Sequence, residues 1–368
     1  MNISTKVSQA ALSGQIYNLD HFHKAWNDPS LIRLMGNELV IPPSPKVIAA
    51  VQDIAHKLNY YPEDPATNQK LLSALAQYME IPGGADWIIL GNGSMELIDM
   101  LPRTFLNPGD EVLLPCPDYA PYSRRPPLYG GKIIDVVPDE NFQYCLEDFT
   151  DKLSDRTKMI IISRPNAPVG NMLPLKILRE LCKLDVILVV DEAYAEFSEQ
   201  SMVSLLDDYT NVIISRTFSK AMGLGGIRLG FAAAHPEVIS YINRVRVPLN
   251  ISLITQIAAL AALEDVPYIV QNTSNVIAAR EWFTAAFEQI EEIRAIPSKG
   301  NFVLLDTEAS GIPAAEFYQQ LKAAKILTRN VSGSRGVPGA YYLRVTIGTM
   351  KMMKELLSQM KEILSLAD

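Results

Sequence analysis

Cysteine is scarce in this chain, with three residues among 368, and long apolar runs are missing. Cys116, Cys145 and Cys182 are too few and too scattered for a disulfide framework or a zinc site. We therefore expect a reducing, cytoplasmic setting and no bound metal. The longest apolar runs, Met159–Ile162 and Val186–Val190, have the length of strands. Because a membrane span needs about 18 to 20 apolar residues, no membrane association is expected.

Positive charge is also in deficit, since 33 lysines and arginines face 41 aspartates and glutamates, for a net charge of −8. An acidic surface repels nucleic-acid phosphates, which argues against nucleic-acid binding. The N-terminal residues show no cationic stretch leading into an apolar one, so they predict no secretory signal. With 48% apolar and 20% charged residues, the composition is that of an ordinary globular protein.

Short apolar runs alternate with helical patterns through the middle of the chain. Runs of this kind, without period-2 alternation, indicate a parallel sheet covered by helices on both faces. The predicted strands are Trp87–Leu90, Glu111–Leu114, Lys132–Val137, Lys158–Ile162, Asp185–Val190 and Asn211–Ile214, and the predicted helices include Lys46–Leu58, Asn68–Met79 and Met95–Phe105. We predict a large α/β domain over residues 46–250.

The pattern changes from about residue 251. The chain there predicts the helices Ser252–Leu263, Tyr268–Ile290 and Ala314–Ala324 and the strands Asn301–Leu305 and Tyr341–Val345. We predict a smaller α+β domain over residues 251–368. Residues 1–45 are interpreted as an arm and the start of that domain.

The strongest chemical signal is the segment of residues 215–230. Lys220 follows a predicted buried strand, among hydroxyls and glycines, and Arg228 lies eight residues further on. Glycine lets a backbone approach a ligand closely, and Ser219 and Arg228 can hold a phosphate. A desolvated lysine beside cationic groups is a nucleophile toward aldehydes. The alternative is a surface lysine on a turn.

A second signal is the carboxylate that ends an apolar strand, Asp191 after Val186–Val190. Ligands of open α/β sheets bind beyond the carboxyl ends of the strands, so Asp191 is predicted to touch one. A carboxylate there can keep a pyridinium nitrogen protonated, and Tyr194 could donate to the phenolic oxygen of the same ring. Alternatively, Asp191 is a structural helix cap.

Three weaker signals accompany these two. Gly93 and Ser94 lie in a glycine-rich turn between a strand and a helix, which offers free backbone N–H groups to an anion, although many such turns bind nothing. Tyr119 follows a strand and could stack on a flat cofactor or pack in the core. Arg344 interrupts an apolar strand, and its partner could be a substrate carboxylate or an internal acid.

In their order and spacing, these motifs resemble the fold-type-I enzymes that use pyridoxal 5′-phosphate (PLP), aminotransferase class I/II. The branch that the chain resembles most is that of the histidinol-phosphate aminotransferases. The resemblance runs from Asn37-Glu38 through Tyr60-Tyr61-Pro62 to 343–349. It implies the α/β fold-type-I PLP-transferase architecture, with a mostly parallel sheet in the large domain. It also implies a small-molecule amino-acid substrate and a homodimer with shared active sites.

The resemblance also implies roles for single residues. Lys220 would form a Schiff base with the cofactor and shuttle protons, while Asp191 would pair with the pyridine nitrogen. Tyr194 would reach the phenolic oxygen O3′, and Tyr119 would stack on the ring. Arg344 would bind the substrate carboxylate. The remaining residues predicted around the cofactor and its phosphate are Gly93, Ser94, Met95, Asn166, Thr217, Ser219, Arg228 and, from the partner subunit, Tyr61.

The sequence departs from the family at three places. Ala167 replaces the asparagine that usually donates to O3′, and Asn166 stands one position away. Losing that donor should destabilise the phenolate. Met95 stands where the branch commonly has an acid. The N-terminal arm lacks the branch's usual aromatic-and-glycine approach and carries His21 and His23, which predict either an extra acid/base or a solvated helix.

Two functions compete on these observations. One is an aminotransferase for histidinol phosphate or a related amino acid, which Arg329 supports because it matches a phosphate-contacting arginine of the branch. The other is a cyclodehydratase or lyase that converts a hydroxylated arginine into a cyclic guanidino amino acid, of the enduracididine- or capreomycidine-forming type. There His21 and His23 would be catalytic, and Asp20 and Glu38 would bind the guanidinium. The departures favour the second hypothesis, and an arginine oxidase is a third.

Overall fold

The computed structural model describes residues 2–14 and 20–366, without the side chains of residues 13, 20–22 and 24. The strands are β1 Ile32–Arg33, β2 Ile88–Asn92, β3 Glu111–Pro115, β4 Lys132–Val136, β5 Thr157–Ser163, β6 Ile187–Asp191, β7 Val212–Thr217, β8 Leu229–Ala234, β9 Arg294–Ile296, β10 Phe302–Asp306, β11 Ile326–Leu327, β12 Arg329–Asn330 and β13 Tyr342–Thr346. The α-helices are α1 Gln9–Ser13, α2 Asp20–Asn27, α3 Pro45–Ile54, α4 Gln69–Met79, α5 Ser94–Phe105, α6 Pro121–Arg124, α7 Glu147–Thr150, α8 Leu175–Cys182, α9 Ala195–Ser198, α10 Pro236–Val245, α11 Leu253–Leu263, α12 Val266–Ala286, α13 Ala314–Ala323 and α14 Met350–Ile363.

Seven strands form the large sheet, in the order β2-β8-β7-β6-β5-β3-β4. Strands β3 to β7 pair in parallel, whereas β8 is antiparallel to both β2 and β7. The inner strands are buried along nearly their whole length, which their mainly apolar side chains on both faces allow, while the buried polar residues Asp191, Ser215, Arg216 and Thr217 lie at their carboxyl ends. The six predicted strands and the mostly parallel α/β sheet are confirmed.

The sequence prediction missed β8, whose residues were included in the lysine motif. The connection from β7 to β8 spans residues 218–228 and contains only a short 3-10 turn, Gly225–Ile227. So short a connection cannot cross over to a parallel neighbour, and it joins antiparallel strands instead. The amino end of β8 therefore lies at the same sheet edge as the carboxyl ends of β2, β3, β5, β6 and β7.

A second sheet has the order β12-β13-β10-β9, with antiparallel pairing throughout. Separately, β1 pairs in parallel with β11, so the segment after the N-terminal arm lies against the C-terminal part of the chain. This pairing agrees with the proposed division into residues 1–45, 46–250 and 251–368, which stays a proposal.

Local chemistry explains several helix boundaries. Asn68 caps α4 by accepting the Leu71 N–H at 3.0 Å, and Ser252 caps α11 through the Thr255 N–H at 3.2 Å. Within the described chain, no single helix has the length and apolarity to cross a membrane. Among the described helices, one pair, Leu253–Leu263 with Val266–Gln289, meets that criterion jointly, across a bend of 78°.

Candidate active site

Lys220 lies in the loop that leaves the carboxyl end of β7. Its Nζ donates to the backbone carbonyls of Gly36 and Asn37, at 3.2 Å each, and lies 5.5 Å from the centre of the Tyr194 ring. No carboxylate of the described chain forms an ion pair with it. The amine is thus half-buried and held by neutral acceptors, as a nucleophile toward an aldehyde needs to be.

Asp191 is the last residue of β6 and its side chain is buried. Its Oδ1 accepts the Ala193 N–H at 3.1 Å and the Ser215 hydroxyl at 3.3 Å. Burial raises the pKa of this carboxyl to about 6. Among the described residues it has no cationic partner, so it suits a ligand that brings a positive charge, such as a protonated ring nitrogen.

Tyr194 follows β6 and packs edge-on against Phe302, with ring centres 5.1 Å apart. Its buried hydroxyl accepts a hydrogen bond from Asn37 Nδ2 at 2.9 Å. Sequence reasoning assigned no role to Asn37, although its backbone has the left-handed φ of +53°. Asparagine is one of the few residues that adopts such a φ readily, but the sequence carries no local signal for it.

A tight turn joins β2 to α5 at Gly93 and Ser94. Gly93 has a φ of +73°, and a Cβ there would lie 2.4 Å from Arg228 Nη2. Arg228 sits at the amino end of β8 and donates to Gly225 O at 3.0 Å. A helix start and a guanidinium therefore meet at the carboxyl edge of the sheet, which is the arrangement that binds a phosphate.

The hydroxyl residues before Lys220 have different surroundings. Thr217 is buried, donates to Leu229 O at 3.3 Å and accepts the Ser219 N–H at 3.1 Å, so its side chain shapes the turn. Ser219 is half-buried beside that turn, and its own hydroxyl remains predicted for the phosphate.

Gly230→Ala should weaken cofactor binding, because the added Cβ would lie 2.4 Å from the backbone nitrogen of Ser94. Relief of the overlap displaces the Ser94 N–H from the phosphate position, and an overpacking cost of about 1–3 kcal/mol expressed in binding corresponds to about 5- to 150-fold in Kd. Gly226→Ala is the matched control, since its Cβ would have no neighbour within 4 Å. Equilibrium titration of each cofactor-free variant with PLP measures the effect. Equal affinities for the two variants would contradict the assignment of this turn.

Tyr119 lies after β3 and is 41% exposed. Its hydroxyl contacts Met95 Sδ at 3.6 Å, which links it to the first turn of α5. The preceding residue, Asp118, accepts a hydrogen bond from Arg335 Nη1 at 2.9 Å. Burial raises the pKa of Asp118, and Arg335 opposes that rise. Tyr119 thus contacts the first turn of α5, and its neighbour Asp118 is held by Arg335 from the loop between β12 and β13. Sequence reasoning missed Arg335 because nothing local distinguishes it from a surface arginine.

Arg344 and Arg329 lie opposite each other on the paired strands β13 and β12. Arg344 donates from Nη2 to Met35 O at 2.9 Å, and its buried Nε has no hydrogen-bond partner. Its guanidinium lies 5.5 Å from the centre of the Phe302 ring. No acid of the described chain forms an ion pair with Arg344, so the internal ion pair considered from the sequence is absent there.

Several predicted residues have other partners. Asn166 donates to Pro117 O at 3.1 Å and accepts the Val169 N–H at 3.2 Å, so its amide braces its own loop, and its predicted contact with the cofactor stays a prediction. Glu38 pairs with Arg33 at 2.9 Å, and its contact with a guanidinium substrate stays a prediction. Tyr61 is 88% exposed.

The arm residues do not form a described catalytic group. His23 is exposed on α2, and its backbone carbonyl accepts from Asn27 Nδ2 at 3.0 Å. The side chains of Asp20 and His21 lie outside the described residues.

These groups fit PLP, because one sheet edge brings together a buried carboxylate and an amine that form no ion pair within the described chain, and a turn suited to a phosphate. Fold and site together define a fold-type-I PLP-dependent enzyme. Residues 29–360 match the model of the family "Aminotransferase class I and II". The chain belongs to this family, and PLP is its cofactor.

Relatives agree with the family assignment. The chain is 35% identical to a histidinol-phosphate aminotransferase of Symbiobacterium thermophilum, over 91% of both chains. It is 32% identical to the enzyme of that name from Methanothermobacter thermautotrophicus, over 91% of this chain and 90% of the other. The crystal structure of histidinol-phosphate aminotransferase from Sinorhizobium meliloti in complex with pyridoxal-5′-phosphate superposes with a TM-score of 0.85. It is 24% identical and covers 98% of this chain and 97% of its own, so it shows the shared fold.

These relatives correct the functional preference drawn from the sequence. They support the aminotransferase alternative and give no support to the cyclodehydratase or lyase. In the described chain Glu38 pairs with Arg33 and His23 is exposed, and their predicted catalytic and substrate roles stay untested.

Proposed function

We propose that this protein is an aminotransferase that acts on histidinol phosphate or a closely related amino-group donor, with a dicarboxylic acid as the second substrate. The observation that carries the proposal is Arg344, which is half-buried, donates to one backbone carbonyl, has a buried Nε without a hydrogen-bond partner, and forms no ion pair with an acid of the described chain. A guanidinium with unused donors and no carboxylate of its own chain suits bidentate binding of an anionic ligand. Relatives of that name at 32% and 35% identity support the substrate.

The adjacent arginines suit both substrates. Histidinol phosphate has a phosphate ester on the carbon next to its amino-bearing carbon, whereas glutamate has a carboxylate there. Because Arg329 and Arg344 lie opposite each other across two strands, either could contribute a planar fork to one anion. The two anions would occupy the same place in successive half-reactions.

Asp191 and Lys220 would act on the cofactor and on the substrate proton. Bound PLP supplies a pyridine ring that accepts the electron pair left on a substrate carbon after loss of its proton. Asp191 would hold the proton on the ring nitrogen, since its buried carboxylate has no other cation among the described residues. Lys220 would take the proton from the substrate carbon and return it to the cofactor side.

The test of this function follows both half-reactions. The enzyme loaded with PLP is mixed with glutamate or histidinol phosphate, and loss of the visible absorbance band is followed together with the mass of the keto product. Conversion of both substrates is expected. Hydroxyarginine is added in a parallel sample without a keto acid, where loss of water with retention of the amine would favour the cyclodehydratase instead.

Arg344→Gln should raise KM for both substrates by on the order of 100-fold, because a bidentate contact to a desolvated anion is lost. Arg294→Gln is the matched control. Arg294 lies in the same sheet, pairs with Asp306 at 3.0 Å and has a side chain that is 54% exposed. Steady-state kinetics with each substrate measure the change. If Arg344→Gln and Arg294→Gln have the same KM values, the anion does not bind at Arg344.

We also propose that the enzyme is a homodimer in which Tyr61 of the partner subunit reaches the cofactor phosphate. Support comes from an exposed aromatic and apolar patch formed by Leu58, Tyr60 and Tyr61, with exposures of 51%, 68% and 88%. Large side chains at this exposure are typical of an interface. Light scattering should give twice the mass of one 40.8 kDa chain.

A further inference from the structure

Three buried side chains form a hydrogen-bonded series that ends at Tyr194. Thr346, in β13, donates from its hydroxyl to Asn37 Oδ1 at 3.0 Å. Asn37 then donates from Nδ2 to the Tyr194 hydroxyl at 2.9 Å. Thr346 is 0% exposed, Asn37 2% and Tyr194 7%, so water does not compete for these bonds.

The direction of the series follows from one group that can only donate. The backbone N–H of Asn37 points at Thr346 Oγ1, at 2.9 Å, so that oxygen is an acceptor there. The hydroxyl has a single hydrogen left, and Asn37 Oδ1 is its one described acceptor. Turning the amide over would leave a buried hydroxyl hydrogen unpaired, which costs free energy.

With the amide orientation determined in this way, Nδ2 must face Tyr194, and the phenolic oxygen must accept. The hydrogen of the tyrosine hydroxyl then has no described acceptor inside the protein. The same residue, Asn37, accepts from Lys220 Nζ through its backbone oxygen at 3.2 Å. The Tyr194 hydroxyl hydrogen is therefore available to a ligand, and the centre of the Tyr194 ring lies 5.5 Å from Lys220 Nζ.

We propose that Thr346 and Asn37 are positioning residues that impose a direction on Tyr194, so that its hydroxyl donates to the bound cofactor. The inference rests on the contact between Tyr194 and the phenolic oxygen of PLP, and the two can fail separately. Ordinarily a tyrosine hydroxyl donates to whichever acceptor is nearest. Here the neighbour that occupies its oxygen is itself oriented by a backbone N–H, so the donor role is set before the cofactor arrives.

The test uses the holoenzyme and measures the pH midpoint of the visible absorbance band of lysine-bound PLP. A hydrogen bond donated to the phenolic oxygen stabilises its negative charge and makes the neighbouring proton easier to lose. Tyr194→Phe should therefore raise the midpoint by about one pH unit. Asn37→Asp keeps the shape and tolerates the positive φ but cannot donate, so Tyr194 would donate to it and the midpoint should rise similarly.

Thr346→Val should raise the midpoint without adding a charge. The Asn37 amide can then turn over and accept a hydrogen bond from the Tyr194 hydroxyl, which would no longer donate to the cofactor. Thr346→Ser keeps the hydroxyl and should leave the midpoint unchanged. In a Tyr194→Phe background, neither Asn37→Asp nor Thr346→Val should raise the midpoint further, since their effect passes through the missing hydroxyl. A simple charge effect of the new aspartate would persist there.

Two results would overturn the inference. If Tyr194→Phe raises the midpoint while Thr346→Val and Asn37→Asp leave it at the wild-type value, the direction is not imposed by these residues. If the shifts of Asn37→Asp and Thr346→Val persist without the Tyr194 hydroxyl, they act on the cofactor by another route. A Tyr194→Phe variant with an unshifted midpoint would instead remove the contact between Tyr194 and the cofactor on which the inference rests.

Discussion

Replacing Lys220 by alanine should abolish the visible absorbance band of the bound cofactor and lower the rate of amino transfer by on the order of a thousandfold. The amine is held toward the site by the carbonyls of Gly36 and Asn37. In the proposed function, loss of this amine removes both the covalent anchor of the cofactor and the base for the substrate proton, and a positioned base contributes about 10²- to 10⁴-fold.

Lys183→Ala is the control for this variant, because that lysine is exposed and pairs with Glu180 at 2.7 Å on the surface. Absorbance spectra after dialysis against PLP, and single-turnover rates with glutamate, give the two readouts. A visible band in Lys220→Ala equal to that of the wild type would show that another nucleophile holds the cofactor.

Asp191→Asn should stabilise the cofactor-free protein at pH 7 while it weakens PLP binding. Burial raises the pKa of this carboxyl from an ordinary 3.8 to about 6, so the ionised form is disfavoured in the fold. At about 1.36 kcal/mol per pH unit, the shift corresponds to about 3 kcal/mol of unfolding free energy at neutral pH. The amide removes that cost, but it cannot hold a proton on the pyridine nitrogen, and the Kd for PLP should rise on the order of 100-fold.

The raised pKa of Asp191 also predicts how the free energy of unfolding changes with pH. Because the folded state binds the proton more tightly than the unfolded state, the wild-type protein loses stability as the pH rises from about 4 through about 6. The difference between Asp191→Asn and wild type should therefore vanish near pH 4 and be full at pH 7. Urea unfolding of the cofactor-free proteins at both pH values measures it, with the exposed Asp208→Asn as control. If wild type and Asp191→Asn have the same free energy of unfolding at pH 7, burial does not disfavour the ionised Asp191 carboxylate.

The cyclodehydratase hypothesis depends on Ala167, Met95 and the N-terminal arm. These are local differences around a site that is otherwise typical of the family. In the structure, Met95 is simply the neighbour of the Tyr119 hydroxyl, and Ala167 is a buried residue of a loop that Asn166 braces. A missing donor changes the electronics of the cofactor, but it does not create the acids and bases that a different reaction needs.

The sequence alone determined six strands of the large sheet. It also determined that Lys220 and Asp191 lie at the carboxyl ends of two of these strands. Apolar runs between helical patterns specify buried parallel strands, and a polar residue just after such a run must lie at the carboxyl edge. These are local properties, because they follow from periodicity and from the geometry of a single strand.

Only the tertiary structure decided which distant residues meet there. It placed β8 antiparallel, which brings Arg228 to the glycine turn, and it joined Asn37, Tyr194 and Thr346 across separations of 157 and 309 residues. It also left Arg344 without an acid in the described chain, where the sequence allowed either a substrate or an ion pair. Hydrogen-bond direction and the pairing of charges depend on neighbours that packing brings together, and no periodicity along the chain encodes them.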